Sequence, residues 1–141
     1  MTHLARIKRR RDFLAAAKGR KKPMPGLVLQ SRTNPHLSGQ DIIRFGLTAS
    51  KRVGNAVIRN RVRRRLRALA YAILPQYGQK GFDYVLIGRA ATFSRPHAAL
   101  VKDLEIALRR IHDTPRKPYR QRKQTDKGKT NNSKTRGKDN V

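Results

Sequence analysis

Cysteine is absent from this sequence, so the fold can draw on neither disulfides nor a thiolate metal site, and the chain suits a reducing cytoplasm. Long apolar runs are missing as well. Nothing approaches the roughly 18 residues that a membrane-spanning helix needs, and the stretch Met1 to Arg11 leads into no apolar signal core. The expectation is a soluble protein without a membrane partner. Acid is the scarcest charge, with eight residues in all (Asp12, Asp41, Asp83, Asp103, Glu105, Asp113, Asp126 and Asp139). None stands in an Asp-x-Asp or His-x-Glu arrangement that could hold a catalytic metal, and Asp103 and Glu105 face different sides of their helix. His3, His36, His97 and His112 are scattered and read as surface or capping residues. Hydrolytic chemistry by the protein itself therefore has no visible machinery, and no protein-held cofactor is expected.

What the chain has instead is positive charge. Thirty-five Lys and Arg residues leave a formal charge of +27 on 141 residues, a self-repulsion that a polyanion would relieve. The length allows one ordinary domain. From Asp113 to Val141 the large apolar residues nearly vanish, and ten basic residues stand against three acidic. Such a stretch cannot bury enough surface to offset its ordering entropy, so the expected division is a folded domain over 1–112 and a disordered basic tail over 113–141.

Within the domain the pattern is mixed α and β. Arg9 to Lys18 reads as a short helix, with Phe13, Leu14 and Ala17 on one face and Gly19 just past its end. Pro23 and Pro25 force a non-helical link. Gly26 to Arg32 and Ile42 to Ala49 read as strands, the second with Ile43, Phe45 and Leu47 in strict alternation. A long helix starts at the N-cap type Asn55 and is expected to stop at Pro75, with Ile58, Val62, Leu66, Leu69 and Ile73 forming one apolar stripe. A strand over Phe82 to Ile87 and an amphipathic helix over Arg95 to His112 complete it.

The long helix carries the charge that decides function. Six arginines fill nine positions (Arg59, Arg61, Arg63, Arg64, Arg65 and Arg67), and no acid occurs between Ser50 and Lys80. Ordinary solvated helices intersperse acids for i, i+4 pairing, whereas like charges at that spacing repel by a few tenths of a kcal/mol per pair. A step of roughly 100° per residue puts Asn60, Arg63, Arg64 and Arg67 opposite the apolar stripe, with Arg61 and Arg65 flanking it on one side and Arg59 on the other. Guanidinium forks grip phosphate oxygens through two bonds and stack on bases, which favours structured nucleic acid. Lys51 and Arg52 lie just before the helix N-terminus, where backbone N–H groups also favour phosphate.

The run from Phe45 to Arg67, FGLTASKRVGNAVIRNRVRRRLR, resembles the signature of the bacterial ribonuclease P protein family: a strand, a Ser-Lys-Lys/Arg-hydrophobic-Gly turn, then an Ala-Val-x-Arg-Asn-Arg-x-Lys/Arg-Arg helix. The likeness extends more loosely to Arg9–Phe13 and to Asp83–Arg89, covering roughly Leu4 to Ile111. It implies an α+β fold, an α-β-β-β-α-β-α sandwich on a four-stranded sheet with a left-handed βαβ crossover. It also implies one protein bound per catalytic RNA, the pair acting as an endoribonuclease that removes the 5′ leader from precursor tRNA, with the RNA doing the chemistry and holding Mg2+. Carried over by position, Lys51, Arg52, Arg59, Asn60, Arg61, Arg63, Arg64, Arg65 and Arg67 would meet the catalytic RNA. Phe13, with Arg9 and Gln30, would meet the leader. Two positions depart from the pattern: Ala17 stands where a second phenylalanine can occur, and Gln30 where an aromatic can follow the strand. A ribosomal or ribosome-assembly protein, or a DNA-binding protein whose basic helix enters a major groove, would share the charge.

Overall fold

The computed structural model describes residues 2–113; the expected basic tail beyond them lies outside the described residues. The chain runs β1 (His3–Arg6), α1 (Arg10–Ala17), β2 (Arg20–Pro23), β3 (Leu27–Thr33), β4 (Ile42–Thr48), α2 (Ala56–Tyr77), β5 (Phe82–Gly88) and α3 (His97–Asp113), with short 3-10 turns between some of them. The strands form one sheet in the order β1-β4-β5-β3-β2. β4 pairs in parallel with both β1 and β5, while β3 runs antiparallel to β5 and β2. α2 is therefore the crossover between two neighbouring parallel strands.

The sheet has five strands where four were expected. Both edge strands escape a sequence pattern: β1 reads His-Leu-Ala-Arg and β2 Arg-Lys-Lys-Pro. Neither offers an apolar alternation, because an edge strand is held by backbone bonds and needs charge or proline to keep its open side unpaired. Backbone bonds flank β1 on both sides, from His3 N to Asp41 O at 2.9 Å and from Ile7 N to Phe45 O at 2.8 Å.

Alternation along the inner strands sorts the core into two layers. Leu27, Leu29, Ile43, Phe45, Tyr84 and Leu86 turn to one face and pack beneath α2 and α3, against Val62, Leu66, Leu69, Leu100, Leu104 and Leu108 among others. Each such side chain contributes about 1.5–3 kcal/mol on burial. Val85, on the opposite face, joins Ile7 and Ala16 in a smaller cluster flanked by Phe13 and Ile87, so α1 covers the back of the sheet.

The long helix begins as its sequence indicates, with the Asn55 side chain accepting from Ile58 N at 3.0 Å. The residue before the cap, Gly54, sits at φ +153°, where a Cβ would also lie 2.8 Å from Ile58 Cγ2. Glycine is required there on both counts. Pro75 does not end the helix, which continues to Tyr77 and closes with Gly78 N donating to Leu74 O at 2.8 Å. Proline within the last turn removes a single N–H, so only the carbonyl of Tyr71, an exposed residue, loses its helical donor.

Candidate nucleic-acid interface

α2 docks through Val62, Leu66, Leu69, Ala70, Ile73 and Leu74, all buried. Its other faces carry the arginines. Asn60, Arg61, Arg64 and Arg67 are exposed, Arg59 and Arg63 half-buried, and Lys51 and Arg52 project from the 3-10 turn Lys51–Val53 just before the cap. Arg63 donates to Asn60 Oδ1 at 3.2 Å, one turn away. Arg59 Nε is buried without a hydrogen-bond partner among the described residues. Such a donor is costly unless an outside acceptor meets it.

The two flanking arginines behave differently from the outward ones. Arg65 spends its guanidinium on three carbonyls, reaching Thr92 O at 2.7 Å, Phe93 O at 2.9 Å and Arg95 O at 2.6 Å. It pins the 3-10 turn Ala90–Phe93 to α2 and is taken up inside the protein. Arg61 lies over the Phe93 ring, 5.4 Å from its centroid, which keeps its guanidinium plane at the surface beside the pinned turn. Both placements follow from the flank of the stripe, where a long side chain reaches the neighbouring element rather than solvent.

On the opposite side of the sheet, Phe13 packs onto β4 at Gly46: a Cβ there would lie 2.5 Å from Phe13 Cε1. The ring is half-buried against the small cluster and shows its remaining surface to solvent. Gln30 is 8% exposed, on the strand face shared with Val28 and Arg32, while Arg9 stands exposed at the start of α1. The structure therefore puts Phe13 and Gln30 on one surface of the sheet, away from α2.

That surface is organised by ions that sequence reasoning did not single out. Arg44 grips Asp83 through Nη2–Oδ2 at 2.7 Å and Nε–Oδ1 at 2.9 Å, Arg32 Nε approaches Oδ2 at 3.3 Å, and Asn34 Nδ2 lies 3.2 Å from both oxygens. Asp12 of α1 reaches the same pair of arginines at 3.7 and 3.6 Å. Burial pushes the Asp83 carboxyl up, but hydrogen bonds from Arg44 and Asn34 and the charges of Arg44 and Arg32 outweigh it and hold the group below the usual carboxylate range. The bond to Asp83 raises Arg44 in turn. The signal was present as opposite charges on inner strands; the register that sets Arg44 and Arg32 opposite Asp83 was needed to see it.

Asp103 is likewise committed, accepting from Gly26 N at 3.0 Å and Arg95 Nε at 2.7 Å. His112, expected to be a surface or capping residue, is half-buried: its ring meets Phe82 edge-on at 4.8 Å, and Nε2 lies 2.5 Å from the Tyr84 hydroxyl, which accepts from Gln79 N. Burial and the nearby Arg20 charge lower its pKa. With Nε2 as the acceptor, the imidazole is a neutral strut between α3 and β5. Among the described residues no three His, Cys, Asp or Glu side chains group as a metal site, and no helix is long and apolar enough to cross a membrane.

Comparison with known proteins identifies the family. The family model described as Ribonuclease P matches residues 1–112. The ribonuclease P protein component of Paramagnetospirillum magneticum is 47% identical over 113 residues, spanning 77% of this chain and 83% of its own length. That of Ruegeria pomeroyi is 47% identical over 107 residues, 75% of this chain and 85% of its own. The solved RNase P protein from Thermotoga maritima superimposes with a TM-score of 0.63 at 30% identity, covering 75% of this chain and 96% of that one.

Proposed function

Because this chain belongs to the ribonuclease P protein family, we propose that its two surfaces divide the labour of one ribonucleoprotein, α2 holding the catalytic RNA and the α1 face meeting the substrate. As a family member it is a subunit of the ribonuclease P endoribonuclease, a tRNA-processing particle in which its partner is the ribonuclease P RNA. The observation that carries the proposal is the uncompensated row on α2: Arg64 and Arg67 point outward from a helix without a single acid. Lys51, Arg52, Arg59, Asn60, Arg61 and Arg63 extend that surface, and Arg65 positions it by fixing the neighbouring turn. Arginine forks on a rigid helix suit folded RNA, where phosphates hold fixed positions.

On the other face, Phe13 offers a ring edge for an unpaired base of the 5′ leader, with Gln30 and Arg9 supplying a hydrogen-bonding amide and a cation. Without the two further aromatics the family pattern allows at Ala17 and Gln30, leader contacts rest more on charge and hydrogen bonds. The catalytic RNA performs the hydrolysis with its own magnesium, one protein serves one RNA, the particle is cytoplasmic, and residues 1–112 are the RNA-binding unit with a basic tail behind it. A ribosomal role would explain only the charge and the small mixed domain, which the family already accounts for. The test is reconstitution with the catalytic RNA on leader-bearing precursor tRNA at low magnesium: the protein should raise cleavage strongly, and no stimulation would refute the proposal.

A further inference from the structure

A third basic region lies at neither of these surfaces. At the β2 edge of the sheet a groove of about 920 Å³ opens between the end of α1 and the end of α3. α2 packs over β1, β4 and β5, whereas α3 covers β2 and β3, so this edge lies at the end of the strand order away from the arginine helix. Lys18, Lys21 and Lys22 line it, and among the described residues no acidic side chain does. The two other cations in its wall are engaged elsewhere, Arg20 through Nη1 to Ile111 O at 2.6 Å and Arg32 with Asp83 and Asp12. The three lysines have no ion pair among the described residues, and Lys18 and Lys21 are exposed.

The groove is also built rather than incidental. The turn from α1 into β2 presses on β3 so closely that a Cβ at Gly19 would lie 2.1 Å from Ser31 O. The Arg20 bond ties β2 to α3, fixing the other wall. Ser31 borders the groove at 1% exposure, and its hydroxyl has no hydrogen-bond partner among the described residues. The lining thus combines a buried hydroxyl without a partner with three ammonium groups that have no ion pair among the described residues, which points to an anionic ligand rich in oxygen acceptors.

We propose that this edge groove is a third RNA-binding site, one that takes the phosphodiester backbone of a flexible strand. Lysine is a compact point charge on a mobile stem and needs no fixed phosphate geometry, in contrast to the rigid arginine row of α2. Lys21 stands directly across from Gln30 in the β2–β3 register, so the groove is continuous with the surface that carries Phe13. A strand on that surface can run into it. The same chemistry could be met by the leader of precursor tRNA or by a single-stranded segment of the catalytic RNA, and the two are separable by experiment.

The inference rests on the ribonuclease P assignment, so its test carries a control for it. In the full chain, Lys18→Gln, Lys21→Gln and Lys22→Gln are combined, and binding is measured against salt in two arms: protein to catalytic RNA, and holoenzyme to precursor tRNA with long or short leaders. The salt slope of one arm should fall by about two, with about tenfold weaker binding at physiological salt and an unmoved thermal transition. A loss confined to long leaders assigns the groove to the substrate, and a loss in the first arm assigns it to the catalytic RNA. Unchanged slopes in both arms overturn the proposal, as does an equal loss from a charge-matched variant at Lys80, Lys102 and Arg109. Arg64→Ala with Arg67→Ala is the reference: if it too leaves the first arm unaltered, the RNA partnership of α2 fails, whereas a silent lysine variant beside a responsive arginine variant removes the groove alone.

Discussion

The arginines of α2 and those of the sheet face under α1 are the same residue type in opposite electrostatic situations. On the sheet, Arg32 and Arg44 meet Asp83 and Asp12 at short range, and the charge is cancelled within the fold. On α2 no acid occurs, and Arg64 and Arg67 face solvent. With only eight acids in the chain, where they are spent decides which cations are structural and which remain for a partner. Counting basic residues measures attraction to RNA; their pairing shows where it acts.

Five measurements would break or sharpen that contrast. The largest effect belongs to the neutralised side: Asp83→Asn should cost about 4 kcal/mol of stability in urea unfolding, because it leaves two arginines crowded at a buried site, while the salt slope of RNA binding stays put. A drop in that slope would mean the sheet arginines also contact RNA. Next, Arg64→Ala with Arg67→Ala should weaken catalytic-RNA binding by about 3 kcal/mol, near a hundredfold, and lower the slope by about two. Unchanged affinity would place those side chains off the interface.

Arg65→Ala separates the two behaviours on a single helix. It should lower stability by about 2 kcal/mol through three lost charge-assisted bonds, with little change in salt slope; a fall of one would return Arg65 to the contact set. Phe13→Ala should cost about 1.5 kcal/mol of affinity for leader-bearing precursor over mature tRNA. Equal losses for both substrates would make its role packing on Gly46 alone. The smallest effect is pH-dependent: because His112 has its pKa lowered on folding, the unfolded chain takes up the proton first, and stability should decline as pH falls below about 6.5. His112→Gln should flatten that window; a persistent slope would assign it elsewhere. The Asp83 contribution, complete above its ordinary carboxylate range, is lost only at more acid pH.

Much of the fold was legible because burial writes a period into a chain. β4 shows alternation and α2 a three-to-four stripe, and both elements formed within a few residues of expectation. β1 and β2 were illegible for the complementary reason, since strands without a buried face carry no period. The candidate site divided similarly. The α2 arginines could be named from composition and spacing, but the withdrawal of Arg65 could not, because its carbonyl acceptors lie 27 to 30 residues away. The half-burial of His112 could not be read from its neighbours in sequence, because its partners Phe82 and Tyr84 belong to a strand that precedes it by a whole helix.

The sequence by itself determined the polyanionic partner, the mixed architecture and the helix that presents guanidinium, since each follows from local composition and periodicity. Only the tertiary structure decided which cations remain unpaired. Pairing depends on strand register and helix docking, which bring Asp83 to Arg44 and Arg65 to its carbonyls while leaving Lys18, Lys21 and Lys22 without a counter-charge among the described residues at the sheet edge.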